Sequence, residues 1–184
     1  KEDMETDKPQ SLYAATKNSG ELFVSTYAKL YDMKTTSLRF FTVYGPYGRP
    51  DMAIYKFTES ILKNETIYLY NQGKHIRDFT YIDDVVEAIS KVIKSKSKSK
   101  NMYEVFNVAA SKPKSLMFFL KTIEKELGMK AKTKKIKLQK GDVYKTYASI
   151  LKLKKMFGYH PKVEITTGIR KFIKWYLKYN IINK

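Results

Sequence analysis

Ser11-Leu-Tyr-Ala-Ala-Thr-Lys17, then Thr35-Thr-Ser-Leu-Arg-Phe-Phe-Thr42 running into Val43-Tyr-Gly-Pro-Tyr-Gly-Arg-Pro-Asp51, are the stretches whose reading decides the fold. Pro9 and Ser11 punctuate a helix start, and Leu22, Phe23, Tyr27, Leu30 and Tyr31 continue an apolar stripe at helical spacing, which predicts a helix from about Ser11 to Met33. The β-branched and aromatic run 35–42 then reads as a strand, and the Gly- and Pro-rich run after it as a long loop. In open α/β sheets ligands bind beyond the carboxyl ends of strands, which is where this loop would sit.

The same pattern repeats outward. Ala53 to Lys63 reads as a helix, Ile67 to Tyr70 as a strand, and Asn71-Gln-Gly-Lys74 as a turn into Arg77-Asp-Phe-Thr-Tyr81. Asp83 and Asp84 are expected to cap a helix over Val85 to Lys94 by accepting its free amide hydrogens. Tyr103 to Val108 reads as a strand, Ser115 to Leu127 as a helix ended by Gly128, and Lys132 to Leu138 as an edge-like strand. Ile150 to Phe157, ended by Gly158, and Ile165 to Tyr179 read as amphipathic helices. Alternating strands and helices indicate an α/β protein, and no internal repeat is visible.

With 184 residues and 43% hydrophobic composition, the chain can bury one good core or two smaller ones. It has no cysteine, which excludes disulfides and thiolate chemistry, and only His75 and His160, which leaves little for a metal site or a Ser-His-Asp triad. No apolar run approaches the roughly 20 residues of a membrane span, so the expected setting is cytoplasmic. The formal charge of +18 is lopsided: residues 1–93 carry 12 Lys+Arg against 13 Asp+Glu, and residues 94–184 carry 24 against 5. Much of the excess lies in the Ser/Lys run from Lys94 to Lys100 and in Lys130 to Lys140, which can be solvated lysine or a surface for polyanions. Arg39, Arg49, Arg77 and Arg170 stand alone against 32 lysines, so each is a candidate for work that needs a planar, bidentate fork.

Tyr13 and Lys17 stand four apart, hence on one helix face, where the ammonium can approach the phenol. A free tyrosine titrates near pH ~10, and a neighbouring cation favours its phenolate. The spacing alone equally fits an ordinary amphipathic helix with a surface lysine. A second such pair, Tyr70 and Lys74, spans a turn signal and fails the geometric test.

Tyr13-Ala-Ala-Thr-Lys17, Arg39-Phe-Phe-Thr-Val-Tyr-Gly-Pro-Tyr-Gly-Arg-Pro-Asp-Met52, Arg77-Asp-Phe-Thr-Tyr-Ile-Asp-Asp-Val85, Gly141-Asp-Val143, Phe157-Gly-Tyr-His-Pro161, Gly168-Ile169 and Trp175-Tyr176 occur in this order along nearly the whole chain. Together they resemble the extended short-chain dehydrogenase/reductase family of nucleotide-sugar epimerases, and within it most nearly the UDP-glucuronate 4-epimerases. The resemblance implies the C-terminal part of a Rossmann-type fold plus a smaller substrate-binding domain. Residues 1–52 would end the NAD-binding domain, residues 53–184 would be mainly UDP-sugar-binding, and the strand near 103–108 would return to the Rossmann sheet. It implies an isomerase that holds NAD and inverts C4 of a UDP-sugar through a 4-keto intermediate. Tyr13 would be the proton acceptor, and Lys17 would hold the cofactor ribose and lower the tyrosine pKa. Thr42 and Arg49 would face the sugar carboxylate, Arg77 the diphosphate, and Asp142 the uridine; no metal is implied.

The family's Gly-x-x-Gly-x-x-Gly turn, its ribose-binding acidic residue and its Ser/Thr cluster all precede the Tyr-x-x-x-Lys helix, and none occurs in residues 1–184. Ser149 stands where many relatives have an acidic residue, and Lys140 where proline or another polar residue is common. The expectation is therefore a portion of a longer or split protein, with the N-terminal half in the same or a companion chain and a homodimer when complete. A sheet lacking its first strands should leave unpaired edges and apolar surface. Two other readings stay open. One is an epimerase or dehydratase of UDP-glucose, UDP-N-acetylglucosamine or another nucleotide sugar, which needs no Arg49 against a carboxylate. The other is an inactive remnant that binds UDP, a polyanion through residues 94–140, or a partner protein; nucleic acid is not the expected ligand.

Overall fold

The computed structural model describes residues 1–95, 101–139 and 141–182. Six helices and eight short strands alternate along these residues: α1 (Leu12–Leu30), β1 (Thr35–Phe40), β2 (Thr42–Tyr44), α2 (Ala53–Leu62), β3 (Thr66–Leu69), β4 (Ile76–Arg77), β5 (Phe79–Tyr81), α3 (Ile82–Lys94), β6 (Tyr103–Val108), β7 (Lys114–Ser115), α4 (Leu116–Leu127), β8 (Lys132–Lys135), α5 (Leu151–Phe157) and α6 (Ile165–Ile182). The expected α/β class is what the chain adopts. Three strand pairs are parallel, β1 with β6, β2 with β5 and β3 with β8, while β4 pairs antiparallel with β7.

The run expected as one strand over 35–42 is two. Through Phe41 the chain follows β6, with Phe41 N–H donating to Val108 C=O at 3.1 Å; at Thr42 it changes neighbour, donating to Asp78 C=O at 3.2 Å. The second piece, β2, runs on to Tyr44, so the loop begins two residues later than its composition suggests. Tyr44 is buried there against Phe79, Tyr81 and Phe119, and burial of a large aromatic outweighs the turn signals beside it. At Gly45, φ is +147° and an added Cβ would lie 2.5 Å from Ile82 Cγ2, so the turn needs glycine.

Among the described residues two apolar clusters form the core. One gathers around Phe79, Phe119, Ile169 and Phe172 between α2, α4 and α6; the other gathers around Phe106, Val108, Leu153 and Tyr159 beneath β6, α3 and α5. Ile82 packs against both. In α1, by contrast, only Ala28 is buried, and Leu22, Phe23, Tyr27, Leu30 and Tyr31 lie exposed. No helix among the described residues is long and apolar enough to cross a membrane.

Several expected boundaries shift for local reasons. Ser11 is the N-cap of α1 rather than its first residue, accepting from Ala14 N–H, and the helix stops at Leu30. Ser115 likewise caps α4 through Phe118 N–H, and Gly128 and Gly158 end α4 and α5 in the left-handed region as expected. The Asn71-Gln-Gly turn is a short 3₁₀ segment, Tyr70–Gly73, in which Asn71 and Gln72 carry positive φ. Lys96–Lys100, most of the Ser/Lys run, and Lys140 lie outside the described residues.

The capping expectation for Asp83 and Asp84 does not hold. Both fall inside the first turn of α3, whose N-cap is Tyr81. Asp83 reaches Lys171 on α6 at 3.4 Å. Asp84 is buried and accepts instead from Lys162 N–H at 2.9 Å and Val163 N–H at 3.1 Å, tying the entry to α6 onto α3. Tertiary amides took the place of the helix's own.

Candidate active site

The cap at Ser11 sets the first turn of α1, and with it Tyr13 and Lys17. Their side chains come together as the spacing requires: Lys17 Nζ lies 5.3 Å from the centre of the Tyr13 ring. Both line an open cleft of about 720 Å³, with Ala14 and Asn18 on the helix and Leu38 and Phe40 on β1 forming other walls. Tyr13 is 67% exposed, so its hydroxyl is available to a ligand in that cleft. Thr6 and Asn18 are hydrogen-bonded and hold the N-terminal segment against α1.

Arg39 fixes the cleft's floor. Its Nε and Nη2 each donate to one oxygen of Glu21 at 2.7 Å, a bidentate pair that docks α1 on β1. The Glu21 carboxylate raises the Arg39 pKa above its ordinary value, chiefly through that hydrogen bond. Arg39 thus does the bidentate work expected of it, with another residue of this chain as its partner. Arg170 behaves in the same way, donating to Glu126 on α4 at 3.2 Å.

The loop after β2 carries the next group. Thr42 pairs with Phe79 at the start of β2 and is half-buried. Beyond Gly45 the loop leans on α6, with the Tyr47 ring 5.1 Å from that of Trp175. Arg49 turns its fork to Asp51, Nε to Oδ1 at 2.9 Å and Nη2 to Oδ2, at the surface. The pair is exposed, and it raises the Arg49 pKa and lowers that of Asp51. Arg49 lines a small pocket with Tyr44, Tyr47 and Ile82 that shares no lining residue with the Tyr13 cleft.

Arg77 and Asp142, expected to meet different parts of a ligand, are in direct contact. Arg77 Nη2 donates to Asp142 Oδ1 at 2.8 Å, while its Nη1 donates to the carbonyls of Ile76 and Tyr144, both at 3.1 Å. Burial lowers the Arg77 pKa, and Asp142 opposes that shift. His75 Nε2 lies 2.9 Å from Asp142 Oδ2. Reading the sequence for site residues passed over His75, yet it stands two residues before Arg77, and two is the strand period that puts side chains on one face. The Asp142 loop also reaches the start of α1, since a Cβ on Gly141 would lie 3.3 Å from Gln10 C=O. Among the described residues no group of three or more His, Asp or Glu could hold a metal ion.

Comparison with known proteins gives these contacts a context. A family model described as the NAD dependent epimerase/dehydratase family matches residues 1–109. An uncharacterized protein of Methanocaldococcus jannaschii is 51% identical over 96% of this chain and 53% of its own length. A probable UDP-glucuronate 4-epimerase of Rhizobium meliloti is 41% identical over 92% of this chain and 54% of its own length. Among solved structures, UDP-glucuronic acid 4-epimerase from Bacillus cereus in complex with UDP-glucuronic acid and NAD superposes with a TM-score of 0.87. It is 31% identical and covers 94% of this chain and 54% of that one. The chain spans about half the length of the curated relatives it matches.

Proposed function

Because this chain belongs to the NAD dependent epimerase/dehydratase family, we propose that it carries the proton-transfer pair and the sugar-nucleotide site of a UDP-sugar 4-epimerase whose substrate is UDP-glucuronate. The observation that carries this reading is the Tyr13 and Lys17 pair, with the ammonium 5.3 Å from the ring centre, in an open cleft. The exposed Arg49 fork, already on a carboxylate, supports the choice of a uronate. In this reading residues 1–52 with β6 complete the nucleotide-binding unit, and residues 53–184 form mainly the sugar-nucleotide side.

The residues present fit NAD at one point: Tyr13 and Lys17 are both exposed and both line the cleft. Lys17 would hold the nicotinamide ribose there. When bound, NAD supplies the acceptor and then the donor of the C4 hydride. Tyr13, as phenolate, takes the proton of the C4 hydroxyl as the carbonyl forms, and returns it after the 4-keto sugar has presented its other face. Proton and hydride both come back to the sugar, so the reaction is an isomerisation with no net redox change. Thr42 and Arg49 hold the sugar carboxylate, and that contact orients both faces of the ring in turn. Arg77 binds the diphosphate and Asp142 the uridine.

Arg49 is the residue that separates a uronate substrate from a neutral one. Calorimetric titration of the full chain with UDP-glucuronate and with UDP-glucose tests this. Arg49→Ala should weaken UDP-glucuronate binding by about tenfold or more, the cost of leaving a carboxylate without its charged partner, and leave UDP-glucose binding nearly unchanged. Equal losses for both sugars would overturn the choice of substrate.

A further inference from the structure

His75 is 4% exposed and cannot touch a ligand, yet it is a titratable ring at the edge of the ligand site. Its Nε2 lies 2.9 Å from Asp142 Oδ2, while Asp142 Oδ1 accepts from Arg77 Nη2 at 2.8 Å. One carboxylate thus stands between an imidazole and a guanidinium. The geometry points to His75 as a positioning residue: it sets how strongly Asp142 holds the Arg77 fork, and so how free that fork is to take a phosphate oxygen. This rests on the UDP-sugar reading of the site and adds to it a residue that never meets the ligand.

The groups facing the ring fix the direction of the effect. Asp142 approaches from the 141–146 segment, Arg77 from His75's own stretch of chain, and the Tyr70 backbone acts on the ring from the 3₁₀ segment. Lys114 on β7 pairs in register with Arg77, but its ammonium is turned over the Phe118 ring. Burial, the largest influence, pushes the His75 pKa below its ordinary value; Asp142 opposes and Arg77 adds. The ring is therefore neutral at neutral pH and gains its proton on acidification. With a neutral ring, Arg77 is the charged partner of Asp142 among the described residues. A protonated ring gives Asp142 a second cation, loosens its grip on Arg77 and adds positive potential beside the anion site. Anion binding should tighten as the pH falls.

UDP-glucuronate is a suitable probe because its diphosphate diester and carboxylate stay ionised across the range used. Its dissociation constant for the full chain, measured from about pH 8 to about pH 5, should fall by roughly threefold to tenfold, as expected for a nearby group changing charge. His75→Gln should flatten that profile and keep the affinity seen at the alkaline end. Asp142→Asn should make it shallower, because Arg77 then has no carboxylate to be released from, which preserves the test if the buried substitution at His75 impairs folding; a slope equal to the parent's would count against the inference. Parallel profiles for the parent chain and a folded His75→Gln variant would overturn the inference while leaving the UDP-sugar reading intact. An absence of UDP-glucuronate binding at every pH, or binding that Arg77→Ala leaves unchanged, would overturn both.

Discussion

Asp84 accepts two backbone amides while almost wholly buried, so its removal strands two donors as well as losing two bonds to a charged group. Asp84→Ala should destabilise the chain by about 2–4 kcal/mol in urea unfolding, and Asp84→Asn by less, because an amide oxygen still accepts. Asp83 next to it makes only an exposed ion pair with Lys171, worth at most about 1 kcal/mol. Adjacent identical residues thus differ in weight because one side chain faces the 161–163 segment and the other faces water. The same contrast separates the arginines. Arg39 spends its fork on docking a helix, whereas Arg49 holds a surface aspartate that is a chemical stand-in for the carboxylate of its proposed ligand.

At the scale of elements, the site depends on where helices meet strands. α6 crosses β2 and β5 at Gly168, where an added Cβ would meet Tyr44 Oη and lie 2.8 Å from Tyr81 Cδ2. Both rings are buried, and Tyr44 Oη also donates to Ile165 C=O at 3.4 Å, so neither can yield cheaply. Gly168→Ala should therefore cost about 1–3 kcal/mol by overpacking, although alanine is the better helix former. A lower melting temperature would show it; a higher one would mean that helix propensity decides at this crossing. The same crossing supports the 45–52 loop, because Trp175, two turns further along α6, carries Tyr47. Turn residues in the sequence announced this loop, and Ser11, Ser115, Gly128 and Gly158 announced helix ends. Each acts within about one turn of itself, which is why such signals are readable locally.

At the scale of the molecule, the described residues form two apolar clusters that share Ile82 at their margin. Ile169 lies in one and Val108 in the other, both wholly buried. Ile169→Val should cost about 1 kcal/mol and Val108→Ala somewhat more, each by loss of buried methyl groups. Because the two lie in different clusters, the double variant should lie within about 0.5 kcal/mol of the sum in urea unfolding; a larger departure would mean that Ile82 couples the clusters. By itself the sequence determined the α/β class, most element positions, the family and the approach of Lys17 to Tyr13, because helical periodicity, caps and a four-residue spacing are properties of neighbouring residues. Tertiary structure alone decided that the 35–44 run changes partner at Thr42, that Asp84 serves α6 and not its own helix, and that His75, Arg77 and Asp142 form one cluster beside the start of α1. Those outcomes depend on which carboxylates, amides and rings are brought together from distant segments as the core closes, and burial then sets what each contact is worth.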